Sequence, residues 1–374
     1  MYGQPLLVAG DVIVATENDS VYRLAGASGA TVWQVSLGQP VSGDSLPCGD
    51  IDPSGITGTP VIDVSSGRVW VLAFIRPHRH VLFALDLGTG VQVASATNDP
   101  TGADPTVQQQ RAALTLASGR VYVPYGGLYG DCGAYHGWIV STPTAGGAST
   151  SWKVPSGREA GIWAPSGVTV DSAGDVFAAT GNSASSDTYD DGNSVIKLSA
   201  GLSPLDSFAP ADWADLNGSD TDLGSTGPTL VGGLVLQVGK SGVGYLLDPN
   251  HLGGVGGQLF SARVCKSGAY GGSAVAGPVA LVACKSGLAA VKVAGRRFSV
   301  VWNGPATDTG PPIVSAARVW ALELGRNQLV GLDLTTGAVV ASVPVGAVEH
   351  FAAPSVGEGM VVVPTRTGVE AYRG

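Results

Sequence analysis

The chain has 374 residues, a formal net charge of −9 and only 13% charged side chains, and none of its apolar runs approaches the ~20 residues that a membrane-spanning helix needs. Clustered Lys and Arg, which binding to nucleic acid or to an anionic membrane would require, are missing as well. Gly (56) and Pro (23) make up about a fifth of the residues while hydrophobics reach 44%, a balance that excludes a bundle of long amphipathic helices and suits short strands joined by tight turns.

In chain order, strand-like segments open with QPLLVAG (4–10) and recur at GTPVID (58–63), RAALTL (111–116), APSGVTV (164–170), GPTLV (227–231), GGSAVA (271–276), GPPIVS (310–315) and AAPSVG (352–357). Each is made of small or Pro-bearing residues and leads through a Gly turn into a Val-rich strand. A third, alternating strand ending in an Asp, Asn, Gly or Ser turn is clearest in VYRLAGASG from Val21, VLFALDLGTG from Val81, GYLLDPNHLGG from Gly244 and LVGLDLTTG from Leu329. A fourth strand often follows, with Trp33, Trp152 or Trp302 near its start.

A unit recurring about every 40 residues is the signature of a radial repeat fold. Eight such units predict an all-β chain, an eight-bladed β-propeller of four-stranded antiparallel blades, forming one domain over 1–374. Small residues in the opening strands fit this arrangement, because the innermost strands of a propeller crowd the axis. The unit from 350 to 374 lacks a fourth strand, so ring closure is expected either to use residues upstream of Met1 or to leave the last blade incomplete. The longest irregular stretches, 38–56 and 206–226, fall between units and are expected to lie on one binding face.

Four cysteines, Cys48, Cys132, Cys265 and Cys284, show neither CxxC nor His/Cys metal spacing. Two disulfides and an oxidising compartment are expected, with the protein extracellular or periplasmic. Met1 leads straight into strand-like sequence, so either an export signal has been removed or the protein is cytosolic, and the cysteines favour the first. His78 and His80, in RPHRH, read as a solvated hairpin.

Within the blades, EAGIWAPSGVTVDSAGDVFAATGN (159–182) resembles a stretch of the quinoprotein alcohol dehydrogenases, propellers that hold pyrroloquinoline quinone and Ca²⁺ at their axis. In that family a Gly-Gly-x-x-Trp segment supplies a tryptophan floor under the quinone and a Thr-Gly-Asn supplies a metal-binding Asn. The resemblance places Trp163 beneath the cofactor and Asn182 on the metal. It also likens GKSGVGYLLDPNHLGG (239–254) to the segment whose Lys or Arg contacts the quinone, here Lys240, and sets Asp222, or else Asp220, of DWADLNGSDTDLGS (212–225) at the catalytic Asp. A flat ring gains from stacking on indole, a hard cation takes amide and carboxylate oxygens, and a cation beside the quinone stabilises the charge of reduction.

The chain departs from that family in YGDCGAYHGW (129–138), where Cys132 stands in place of a metal-binding Glu, so that Asp131 would have to substitute. The vicinal cysteine pair over the quinone is absent too. Cys132 is read as the disulfide partner of Cys48, whose loop LPCGDID reaches the same face, and Cys265 pairs with Cys284. Further polar candidates precede the innermost strands: Gln110 and Arg111, with Arg111 expected on the cofactor, then Tyr270, Asp308, Glu349 and His350. No Ser/His/Asp or His-x-x-His arrangement is visible around His136 or His350.

Two functions follow. One is an exported oxidoreductase that oxidises an alcohol or polyol with pyrroloquinoline quinone and Ca²⁺. The other is a non-catalytic propeller scaffold that binds protein or glycan, as outer-membrane assembly propellers with similar repeats do. Either would use the loop face for a small-molecule or polymeric substrate or a protein partner, with the chain a monomer.

Overall fold

The computed structural model describes residues 1–304 and 308–373, almost wholly as strands. Blade 1 is built of Leu6–Val8, Asp11–Thr16, Ser20–Ala25 and Thr31–Ser36, each strand antiparallel to the one before it. The same meander recurs in blade 2 (61–97), blade 3 (115–153), blade 4 (169–209), blade 5 (229–263), blade 6 (269–303) and blade 7 (313–344). Blade 8 holds Ser355–Gly357, Met360–Pro364 and Val369–Arg373, three strands among the described residues. The eight-bladed propeller is thus the fold, and all eight innermost strands fall within the small-residue segments read from sequence, or within two residues of them.

The alternation of strand side chains makes the ring. Val69 and Val71 of blade 2 pack with Ile13 and Val21 of blade 1, while their neighbours Trp70 and Leu72 pack with Val121 and Val123 of blade 3. Eight such clusters exist, one at each interface between adjacent blades, so every second strand carries apolar residues on both faces and has no solvent side. Blade 8 joins blade 1 through Met360 and Val362 against Val12 and Val14. Gln4 Nε2 adds a hydrogen bond to Pro354 O at 2.8 Å, and Ser355 Oγ one to Pro5 O.

Two of the outer tryptophans bind the following blade. Trp33 donates from Nε1 to Leu87 O at 3.1 Å and lies on Gly90, while Trp302 donates to Leu334 O at 3.0 Å and lies on Gly337. Both glycines have a left-handed φ, of 72° and 71°, and a Cβ on either would meet the indole at 2.7 or 2.5 Å.

The disulfides are those expected, Cys48–Cys132 and Cys265–Cys284, with Cα separations of 6.2 and 5.6 Å. One reading needs correcting: His80 is not part of a solvated hairpin. It is 1% exposed, stacks on Phe74 at 4.3 Å and pairs through Nδ1 with Asp99 at 2.9 Å. The RPHRH turn places alternate residues on opposite faces, so only His78, against Ser45, stays at the surface. The 206–226 stretch is also more ordered than expected, with a short helix at Trp213–Gly218. No helix among the described residues is long and apolar enough to cross a membrane.

Candidate functional site

Loops entering the innermost strands, together with loops between the second and third strands of blades 3 to 5, line a cavity of about 670 Å³. Trp163, Asn182, Asp222, Lys240, Asp131 and Arg111 all line it. Six positions expected from blades 3 to 5 therefore meet in one space.

Trp163 is held by close backbone approaches. Ile162 N–H donates to Tyr125 O at 3.0 Å, and Gly181 N–H donates to Gly161 O at 2.9 Å. A Cβ on Gly181 would stand 3.2 Å from the indole nitrogen and 2.6 Å from Asp222 Oδ1, so only glycine lets Trp163 and Asp222 converge there. Just upstream, Glu159 and Ala160 adopt φ of 71° and 54° where the resembling family has Gly-Gly. Such strain in non-glycine residues costs on the order of 1–3 kcal/mol each and collects at functional sites.

Asp222 is buried, and its two oxygens are separately engaged. Oδ1 accepts the Asn182 backbone N–H at 2.6 Å, and Oδ2 lies 2.7 Å from Lys240 Nζ. The same ammonium reaches Asp220 Oδ1 at 2.9 Å and its carbonyl oxygen at 3.1 Å, and stands 5.9 Å from the Trp163 ring centre. Burial lifts the Asp222 carboxyl above the usual aspartate range, against the pull of Lys240. Burial disfavours the Lys240 ammonium, but the Asp222 and Asp220 carboxylates outweigh it and hold its pKa above the ordinary lysine value. The two candidates for a catalytic aspartate thus share one lysine, with Asp222 the buried member.

The cavity floor is aromatic. Phe351 lies 6.1 Å from Trp163, and Tyr270 stacks on Phe351 at 6.0 Å and 18°. The Arg111 guanidinium sits 4.8 Å over the Phe351 ring and donates from Nη2 to His350 Nε2. Burial, and then the Arg111 charge, lower the His350 pKa, which favours the unprotonated nitrogen that accepts that bond. Arg111, His350 and Phe351 also line a smaller axial cavity of about 220 Å³, so these three form the partition between the two spaces.

Asp131 reaches the rim with φ of 53°, and its Oδ1 accepts the Tyr135 hydroxyl at 2.5 Å. The Cys48–Cys132 bridge ties the 38–56 loop, and with it Asp50, to this rim. Three expected positions lie elsewhere. Gln110 is buried and bonds Ala112 O, Glu349 pairs with Arg366 at 3.1 Å, and Asp308 donates its backbone N–H to Lys285 O at 2.9 Å. Asp50, Tyr129, Tyr135 and Phe351 line the cavity without having been singled out from sequence. Phe351 directly precedes AAPSVG, an offset matched by Tyr270 before GGSAVA, and that repeat position was the available signal.

The lining suits a flat anionic ring better than a divalent metal. An indole, a phenyl and a phenol offer stacking, with Lys240 and Arg111 beside them. Ca²⁺ instead takes ~6–8 oxygens, several of them carboxylate. Here the place beside Asp222 and Asp220 is filled by the Lys240 ammonium, Asp131 is bonded to Tyr135, and Cys132 is in a disulfide. Among the described residues no group of three His, Cys, Asp or Glu side chains is arranged to hold a metal.

No family model matches the chain. No curated protein matches it either. Solved structures do. The quinohemoprotein alcohol dehydrogenase from Comamonas testosteroni superposes with a TM-score of 0.70 at 14% identity, covering 99% of this chain and 71% of that one. A europium-containing methanol dehydrogenase gives 0.71 at 14% identity, with 98% and 83% covered. BamB from Moraxella catarrhalis gives 0.63 at 14% identity, with 98% and 95% covered. At that identity the likeness extends to the fold alone, an eight-bladed β-propeller.

Proposed function

We propose that this chain is an exported quinoprotein-like propeller whose axial cavity binds a flat, conjugated anionic ring of the pyrroloquinoline quinone class without calcium. The observation that carries this reading is the convergence of Trp163 with the buried Asp222–Lys240 pair. Trp163 would stack under the ring, and Lys240 and Arg111 would take its negative charge. Bound there, the quinone would supply the electron acceptor for oxidation of an alcohol. Asp222 is the group suited to hold the proton such a substrate releases, because burial raises its pKa and makes it a stronger base. The two disulfides favour an oxidising compartment.

A second reading, a binding scaffold without catalysis, is favoured by the Cys48–Cys132 bridge, which occupies the place where the resembling enzymes keep a metal-binding Glu. Full-length correspondence with BamB points the same way. Titration with pyrroloquinoline quinone in EDTA, followed by quinone absorbance and Trp fluorescence, separates the two. Saturable uptake lost in Trp163→Ala and weakened in Lys240→Met supports the cofactor reading. No uptake by the wild type removes it and leaves the scaffold.

A further inference from the structure

Where blade 1 meets the 38–56 loop, three carboxylate oxygens lack a donor. Asp19 is fully buried, and neither its Oδ1 nor its Oδ2 has a hydrogen-bond partner. Glu17 Oε1 is buried and unpartnered too, although Oε2 of the same group accepts Gly55 N–H at 2.8 Å and the Thr57 hydroxyl at 3.0 Å. Among the described residues no Lys, Arg or His forms an ion pair with either acid. An ionised carboxylate can only accept, and burying it unpaired is costly, so this corner calls for a positive charge.

The backbone fixes these oxygens in place. Asp19 takes a left-handed φ of 52° in the turn after Asp11–Thr16, donates its N–H to Thr16 O at 3.1 Å and accepts Leu37 N–H at 2.8 Å. Gly55 of the 38–56 loop passes directly over that turn. A Cβ on it would stand 2.3 Å from Glu17 O and 2.7 Å from Asp19 Oδ1, so glycine is what lets a carbonyl and a carboxylate oxygen crowd one point. Glu17 and Asn18 also line a cavity of about 640 Å³ whose walls carry the exposed Asp50 and Asp52. That cavity gives a cation an acidic path from solvent to Glu17.

We infer that Glu17 and Asp19 bind a calcium ion, with Asp19 Oδ1 and Oδ2, Glu17 Oε1 and Glu17 O as its protein ligands. Asp19 is too enclosed for an organic cation to reach. The donor set is wholly oxygen, which suits a hard ion rather than zinc or copper. Mg²⁺ demands near-ideal octahedral geometry and sheds water reluctantly, whereas Ca²⁺ accepts irregular sets of ~6–8 oxygens, so these four leave the remaining places to water from the cavity. Neither acid lines the cavity around Trp163, so the site stands apart from the proposed quinone site. Its ion would tie the 38–56 loop to blade 1; in metal-free buffer only protons neutralise the pair.

The test titrates the whole chain, stripped of metal on a chelating resin, with calcium chloride in a calorimeter. The wild type is expected to take up a single ion, and its melting temperature to rise as it does so. Asp19→Asn and Glu17→Gln each remove one charge at nearly constant shape and should weaken uptake at least ~10-fold, since affinity follows the charge of the ligand set. The calcium-dependent rise in melting temperature should vanish in Asp19→Asn. Glu349→Gln, which alters a carboxylate on the wall of the same cavity, should leave uptake intact. No uptake by the wild type, uptake unchanged in both pair variants, or uptake lost equally in Glu349→Gln would overturn the proposal.

Discussion

Lys240 shows how one side chain can organise the cavity. It joins Asp220 to Asp222 and faces Trp163, and its Asp222 partner is 5% exposed. Removing one member of a buried pair leaves the other charge unpaired, at about 3 kcal/mol or more. Lys240→Met is expected to lower the unfolding free energy by that order in denaturant titration, and a loss below about 1 kcal/mol would show that water already screens the pair. A second acidic group acts in the opposite sense. Asp19 is fully buried with both oxygens unbonded, and burial, then Glu17, push its pKa up to about 8. Glu17, with Gly55 N–H and Thr57 hydroxyl donating to it, is pushed up to about 7 by burial. An acid whose native pKa lies above its unfolded value binds protons more tightly when folded. Its stability contribution is therefore complete below the unfolded pKa and is lost as pH rises through the native one. Melting temperature should fall from about pH 4 to pH 8, and Asp19→Asn should flatten that slope. A wild-type profile that rises over this interval would contradict the assignment.

At the level of elements, the disulfides and the tryptophan-covered turns give predictions of relative size. The Cys48–Cys132 link spans 84 residues and Cys265–Cys284 spans 19. Chain entropy alone gives about 4.5 kcal/mol for the first and about 3 for the second. Cys48→Ser with Cys132→Ser should therefore cost more stability than the other pair. It should also weaken ligand binding, because that link fixes the cavity rim. Gly90 and Gly29 share a turn but not an indole, so alanine at Gly29 should cost only the left-handed strain of about 1 kcal/mol. At Gly90, alanine must also displace Trp33. Calorimetry showing equal costs would mean that the Trp33 contact contributes little.

Across the whole molecule, the ring was legible in the sequence because its physics is local and repeated. Small inner strands, apolar second strands and Asp/Gly turns recur in each unit, and each of the eight inter-blade clusters is a product of that alternation. Both disulfide pairs were legible as well. The cavity was only half legible. Trp163, Asn182, Asp222, Lys240 and Arg111 were picked out from sequence, whereas Phe351 was not: it meets Arg111 from blade 3 although the two lie 240 positions apart. His80 was misread because a hairpin turn does not reveal which of its residues faces the next blade.

The most direct test of the account is a crystal structure of the chain grown with pyrroloquinoline quinone and EDTA. The account predicts the ring stacked on Trp163 with an oxygen at the Lys240 ammonium. An empty cavity, or a ring that binds only when calcium is supplied, would contradict it.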